Sequence, residues 1–184
     1  KMDILFSDAY HKYSGRRFQI MSKPAGANCN LNCNYCYYLE KQKLYQNSPN
    51  KMSDDLLEKF IRDYIQSQDL KVVSFVWQGG EPCLAGLEFY EKAVSFQRKH
   101  AGTKQISNAF QTNGTLIDEK WAAFFARNNF LVGISIDGPE HIHNHYRKNN
   151  SGQGSFSEVM RGIDWLRQYN VPFNTLTVVN DITS

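Results

Sequence analysis

Apolar residues along the chain alternate between two rhythms. Short, nearly continuous apolar runs rich in β-branched and aromatic residues predict strands at Phe18-Gln-Ile-Met-Ser22, Val72-Val-Ser-Phe-Val-Trp77, Ile106 to Gln111, Leu131-Val-Gly-Ile-Ser-Ile136 and Phe173-Asn-Thr-Leu-Thr-Val-Val179. The second and fourth are apolar enough to predict strands covered on both faces. Between them the period lengthens. Leu56, Leu57, Phe60, Ile61, Tyr64 and Ile65 follow helical spacing behind Ser53, a plausible N-cap, with Asp54 and Asp55 near the positive helix end. Leu87 to Lys99 has a helical pattern that stops near Gly102, and Asp118 to Arg127 predicts another helix. Ser155-Phe-Ser-Glu158 has capping-box spacing and predicts a helix from Phe156 to about Gln168, which Pro172 keeps from continuing.

Strands separated by helices imply parallel βα units, because a parallel return needs a crossover. An eight-unit barrel takes about 250 residues, and this chain has 184. The expected architecture is α/β: a partial (β/α) TIM-like barrel with parallel strands, truncated after about the fifth, in one domain spanning 1–184. Composition removes other classes. The chain is 41% hydrophobic and 14% aromatic, which argues against disorder. The net charge of +3, with no basic run, argues against nucleic acid. No apolar run approaches the roughly 18 residues of a membrane span, and the N-terminus lacks a signal-peptide core. A soluble protein in a reducing, cytoplasmic setting is the expectation.

Each predicted strand ends in a polar or glycine-rich cluster. These are Cys29 to Cys36, Gln78-Gly-Gly-Glu-Pro82, Gln111-Thr-Asn-Gly114, Ser135-Ile-Asp-Gly-Pro139 and Asn180-Asp181. In βα barrels the C-terminal strand ends share one face, where ligands bind. Three of the four cysteines, Cys29, Cys33 and Cys36, fall within eight residues, and Cys83 stands alone. Crowded thiols in a chain without a secretory signal predict metal binding before disulfides. Three thiolates suit three irons of a [4Fe–4S] cube and leave the fourth open to a ligand. The alternative is a zinc site completed by Cys83 or a histidine, in a non-enzymatic α/β module. His141, His143 and His145 alternate, but a second metal there is not expected.

The spacing C-x3-C-x-aromatic-C resembles the signature of the radical S-adenosylmethionine superfamily, and Gly79-Gly-Glu-Pro82 looks like its GGEP motif. Within it, Cys29-Asn-Leu-Asn-Cys-Asn-Tyr-Cys-Tyr-Tyr38, Trp77-Gln-Gly-Gly-Glu-Pro82, Gln111-Thr-Asn-Gly-Thr115 and Ser135-Ile-Asp-Gly-Pro139 with Tyr146-Arg147 are similar to the anaerobic sulfatase-maturating enzymes. The resemblance implies Cys29, Cys33 and Cys36 as cluster ligands and Tyr35 beside the adenine of S-adenosylmethionine. It implies Gly79, Gly80, Glu81, Ser135 and Arg147 on the rest of that cofactor, Gly79 to Glu81 at its amino group. Arg147 would fork its methionine carboxylate, and Gln78 would face the substrate. Glycines there let a ligand approach the backbone.

The implied reaction is reductive cleavage of S-adenosylmethionine to a 5′-deoxyadenosyl radical. That radical then oxidises a cysteine or serine of a sulfatase polypeptide to Cα-formylglycine, with an external electron donor. The resemblance also implies a C-terminal SPASM domain with two auxiliary clusters and a catalytic base, absent from these residues, so that no catalytic residue is assigned here. A rival within the superfamily is another peptide-modifying SPASM-type enzyme. An incomplete barrel would also expose the apolar edge of Phe173 to Val179 to pairing with another chain. Cys83 is expected to be a structural thiol outside the cluster.

Overall fold

A computed structural model describes residues 18–41 and 52–181. The N-terminal stretch read for a signal lies outside the described residues. Five strands form one sheet: β1 (Ile20–Ser22), β2 (Val72–Trp77), β3 (Gln105–Thr112), β4 (Phe130–Ser135) and β5 (Phe173–Leu176). Their order in the sheet is their order in the chain, and every pairing is parallel. The helices are α1 (Tyr38–Lys41), α2 (Asp54–Gln66), α3 (Leu87–His100), α4 (Glu119–Arg127), α5 (Glu140–Tyr146) and α6 (Phe156–Gln168), with a 3-10 turn at Pro82–Ala85.

Sequential order with parallel strands has a consequence. Right-handed crossovers that always advance in one direction put their helices on one face of the sheet. Val73, Phe75 and Trp77 of β2, Phe110 of β3 and Phe130, Val132 and Ile134 of β4 are therefore buried beneath α2, α3, α4 and α6. The opposite face carries Val72, Val76, Ala109, Gln111, Leu131 and Gly133, and Val72 and Leu131 are exposed. This corrects the expectation that β2 and β4 are covered on both faces. It is the arrangement of a partial barrel.

An aromatic ladder holds the helices to the sheet. Trp77 meets Phe75 and Tyr90 at ring distances of 5.9 and 5.6 Å, and Tyr90 meets Phe110 at 5.0 Å. Such pairs contribute about 0.5–1.5 kcal/mol each beyond their burial. The buried Trp77 indole donates to Asn108 Oδ1 (2.8 Å), and Asn108 exchanges two hydrogen bonds with Gln97 (2.9 Å each). The polar atoms inside this part of the core are thus paired.

Most local signals are met. Ser53 caps α2 by accepting from Leu56 N–H, and Asp118 caps α4 through Trp121 N–H. Leu56 itself is exposed, on the far side of its helix. The helix α6 begins and ends where predicted, but Ser155 forms no capping box. Its hydroxyl donates instead to Arg147 O, and Asn144 Oδ1 takes the Phe156 N–H at 2.9 Å. β5 ends at Leu176, short of Val179, and β1 starts at Ile20.

Candidate cofactor site

The C-terminal strand ends do converge, and polar bonds knit them together. The cysteine loop lies between the loops after β2 and β3 on one side and the segment after α5 on the other. Gly80 N–H donates to Gly26 O (2.9 Å) and Glu81 N–H to Asn28 O (2.7 Å). Asn32 N–H reaches Lys148 O at 2.7 Å and Asn34 N–H reaches Tyr146 O at 3.0 Å. The three thiols of this loop lie within electrostatic reach of one another. Burial, joined by the neighbouring thiols, pushes Cys33 up to about 11 and raises Cys29. Cys29 and Cys33 therefore stay protonated at neutral pH until a metal displaces their protons.

Cys83 belongs elsewhere. It is buried against Glu81 and Thr112, with Sγ 3.8 Å from Thr112 Oγ1. Among the described residues no three His, Cys, Asp or Glu side chains converge on a single ion. A lone tetrahedral zinc needs such convergence, at about 2.0–2.3 Å per ligand. A [4Fe–4S] cube would spread its ligands over separate irons and does not require that convergence, so a set of three thiols on one loop is a donor set that suits it. The alternating histidines also do not gather: His143 is buried and His145 packs edge-on against Tyr146 at 4.6 Å.

Gly79 and Gly80 pack against the protein's own backbone. A Cβ on Gly80 would fall 2.2 Å from Asn28 O and one on Gly79, at φ +138°, 2.8 Å from Gly26 O. The close approach demanding glycine is therefore to the cysteine loop, a different reason from ligand access. The Glu81 carboxylate is wholly enclosed, accepting from Cys83 N–H (2.9 Å), Thr112 Oγ1 (2.8 Å) and Asn113 N–H (2.8 Å). Its side chain is a brace between the loops after β2 and β3, and its own N–H is spent on Asn28 O. Gln78 is half-buried at the end of β2, its N–H on Ser22 O. Ser135 is half-buried and accepts from Gln111 Nε2 at 3.1 Å, the glutamine crossing β4 where Gly133 leaves room.

Tyr35 and Arg147 meet through a residue the sequence reading did not single out. Asp137, fully buried, accepts from the Tyr35 hydroxyl, from Arg147 Nε (2.9 Å) and Nη2 (3.4 Å), and from Val178 N–H (3.0 Å). Burial alone would raise its carboxyl, but Tyr35, the Val178 N–H and Arg147 outweigh that and hold it below the usual range. Burial and the bond to Asp137 push the Tyr35 phenol up. The Arg147 fork is thus closed on Asp137, and among the described residues Nη1 has no hydrogen-bond acceptor. The guanidinium lies 5.5 Å from the Tyr35 ring centre.

His143 supports this assembly from behind. Its Nδ1 accepts from Asp137 N–H (3.3 Å), so Nε2 carries the proton and donates to Ser155 Oγ (3.0 Å), which donates to Arg147 O (2.9 Å). Burial, then the Arg147 charge, lowers its pKa from 6.5 to about 4. Its folded-state value lies below its unfolded value, so unfolded chains bind the proton first as pH falls. Stability is expected to decline between pH 6.5 and about 4, by roughly 3 kcal/mol. Urea titrations across that range check it, with His143→Gln expected to flatten the slope and an unflattened slope counting against the assignment.

The Radical SAM superfamily profile matches residues 24–183. The serine-type anaerobic sulfatase-maturating enzyme of Bacteroides thetaiotaomicron is 52% identical over 166 residues, covering 90% of this chain and 40% of that protein. The cysteine-type enzyme of Clostridium perfringens strain 13 is 45% identical over 170 residues, covering 90% of this chain and 45% of that protein. The structure of native anSMEcpe with bound AdoMet and Cp18Cys peptide superposes with a TM-score of 0.80 at 46% identity, covering 88% of this chain and 43% of that one. The chain therefore spans less than half the length of these relatives. Among its described residues no helix is long and apolar enough to cross a membrane. Three thiols on one loop at the C-terminal edge of a sequential parallel sheet, and a profile that spans nearly the whole chain, have one explanation: the chain belongs to the radical SAM superfamily.

Proposed function

We propose that residues 1–184 form the core domain of a longer, SPASM-containing anaerobic sulfatase-maturating enzyme in the cytoplasm. In the whole protein the substrate is a sulfatase polypeptide whose active-site cysteine or serine becomes Cα-formylglycine, with electrons from an external donor. The observation that carries this reading is the mutually coupled trio Cys29, Cys33 and Cys36, set between the Gly79-Gly80 edge and the Tyr35–Asp137–Arg147 assembly. Cys29, Cys33 and Cys36 would hold a [4Fe–4S] cluster with one iron open. When bound, that cluster and S-adenosylmethionine supply the electron and the 5′-deoxyadenosyl radical.

The chain's own residues bind and orient. Arg147 offers its remaining N–H donors to the cofactor carboxylate, a charge-assisted contact, and Tyr35 offers a ring fixed by its hydroxyl bond to Asp137. The Gly79-Gly80-Glu81 backbone meets the cofactor amino group, and Ser135 its ribose or methionine portion. Gln78 lies at the same edge, toward the substrate. Relatives of both serine and cysteine type are similar to this chain, so the target residue is read from product mass.

The test is anaerobic reconstitution followed by iron, acid-labile sulfide and zinc analysis, then reduction with S-adenosylmethionine and chromatography of 5′-deoxyadenosine. Cys36→Ala is expected to reduce iron and 5′-deoxyadenosine to background. Cys83→Ala is expected to keep both, because its thiol faces Glu81 and Thr112. A colourless protein holding stoichiometric zinc would overturn the reading.

A further inference from the structure

The loop after β3 carries Asn113, whose backbone N–H holds Glu81 and whose side chain has no part in the site as described so far. It is 7% exposed, and each hydrogen-bonding atom of its side chain has a defined partner. Oδ1 accepts from Thr115 N–H (3.0 Å) and Thr115 Oγ1 (2.7 Å). Two donors on one atom identify it as the oxygen and fix the orientation of the amide. The Nδ2 group then has two hydrogens to place. One goes to Asn30 Oδ1 at 2.9 Å and the other points to Cys29 Sγ at 3.7 Å. Asn30 Nδ2 donates to Thr115 Oγ1 at 2.8 Å, which closes a ring of side chains between the cysteine loop and the loop after β3.

The backbone beneath is equally constrained. Asn113 N–H donates to Glu81 Oε2, while Glu81 Oε1 is held by Cys83 N–H and Thr112 Oγ1. Glu81 thus fixes the height of Asn113 over the cysteine loop. The Leu31 N–H, 3.4 Å from Cys29 Sγ, is a second donor to the same sulfur. A thiol that merely filled space would not need an amide aimed at it through a closed ring.

We infer that Asn113 is a positioning residue that donates an amide hydrogen bond to the Cys29 sulfur and thereby raises the reduction potential of the cluster it ligates. The inference rests on the proposed function, since it needs a cluster at Cys29. Hydrogen bonds to cysteinyl sulfur withdraw electron density from the metal and stabilise the reduced, more negative state. The fold thereby eases reduction of the cluster by the external donor, and the Glu81 brace makes the loops after β2 and β3 work together to that end.

Potentiometric titration of the anaerobically reconstituted holoprotein, followed by electron paramagnetic resonance, tests this apart from turnover. Asn113→Ala is expected to keep its iron and shift the midpoint to more negative potential. Asn113→Asp keeps the size and the acceptor oxygen but replaces the donor with a negative charge, so its midpoint is expected to fall further. Thr115→Val leaves the Asn113 amide in place and is expected to shift the midpoint less than Asn113→Ala. An Asn113→Ala midpoint equal to that of the unaltered protein would overturn the inference and leave the proposed function standing. Loss of the cluster from both Asn113 variants in folded protein would also overturn it, by making Asn113 a requirement of assembly. Failure of the unaltered chain to assemble any cluster would refute the proposed function itself.

Discussion

Asp137→Ala is expected to destabilise the chain by about 3–5 kcal/mol, the cost of leaving a buried ionic partner alone. Arg147 is 7% exposed, and two of its donors face the Asp137 carboxylate. Without that carboxylate the guanidinium is a buried cation with no counter-charge, and the Tyr35 hydroxyl and Val178 N–H lose their acceptor as well. Three segments would loosen together: the cysteine loop through Tyr35, the end of α5 through Arg147, and the chain after β5 through Val178. Asp137→Asn keeps the shape but turns one oxygen into a donor facing other donors, so it should cost less than alanine while still weakening S-adenosylmethionine binding. Urea denaturation gives the stability and equilibrium dialysis of reconstituted protein gives the affinity. A loss below about 1 kcal/mol for Asp137→Ala, within the range of an exposed pair, would show that the ion pair does not organise this edge.

The contrast between Cys33 and Asp137 explains what the sequence could and could not reveal. Cysteine spacing is local chemistry: three thiols in eight residues state their purpose without reference to the fold. Strand and helix periodicity is local too, which is why α2, α4 and α6 stand where the pattern put them. Asp137 acts through Tyr35, 102 residues away, and Asn113 through Cys29, 84 residues away. No period links such positions; only the convergence of strand ends does. The helix α5, Glu-His-Ile-His-Asn-His-Tyr, escaped notice because it carries no apolar stripe. It is held by Asn34 and Asn144 contacts and by the buried His143. Ser155 failed as a capping box because its hydroxyl is already engaged, donating to Arg147 O and accepting from His143 Nε2. The face of β2 that stays open looked buried for a similar reason. Val72 and Val76 are apolar on a surface that the helices do not reach.

Gly80→Ala is expected to be the most damaging glycine-to-alanine change among the described residues. Its added Cβ would meet Asn28 O at 2.2 Å, Ala27 O at 2.5 Å and Asn28 C at 2.6 Å. All three are backbone atoms, so no side chain can rotate aside, and the cysteine loop must move by about an ångström to restore contact distance. That movement also breaks the bonds from Gly80 N–H to Gly26 O and from Glu81 N–H to Asn28 O. Overpacking of this kind costs about 1–3 kcal/mol, and two lost backbone bonds add about 1 kcal/mol each. Cys29 follows Asn28 directly, so iron content after reconstitution should fall with stability. Gly102→Ala is the matched control: its φ is +58° but nothing lies within 4 Å of the added methyl. It should cost only the left-handed strain, about 1–2 kcal/mol, and leave iron loading unchanged. Thermal unfolding and iron analysis of the two variants side by side decide the matter. Equal iron content in both would show that the Gly80 contact does not position the cysteine loop.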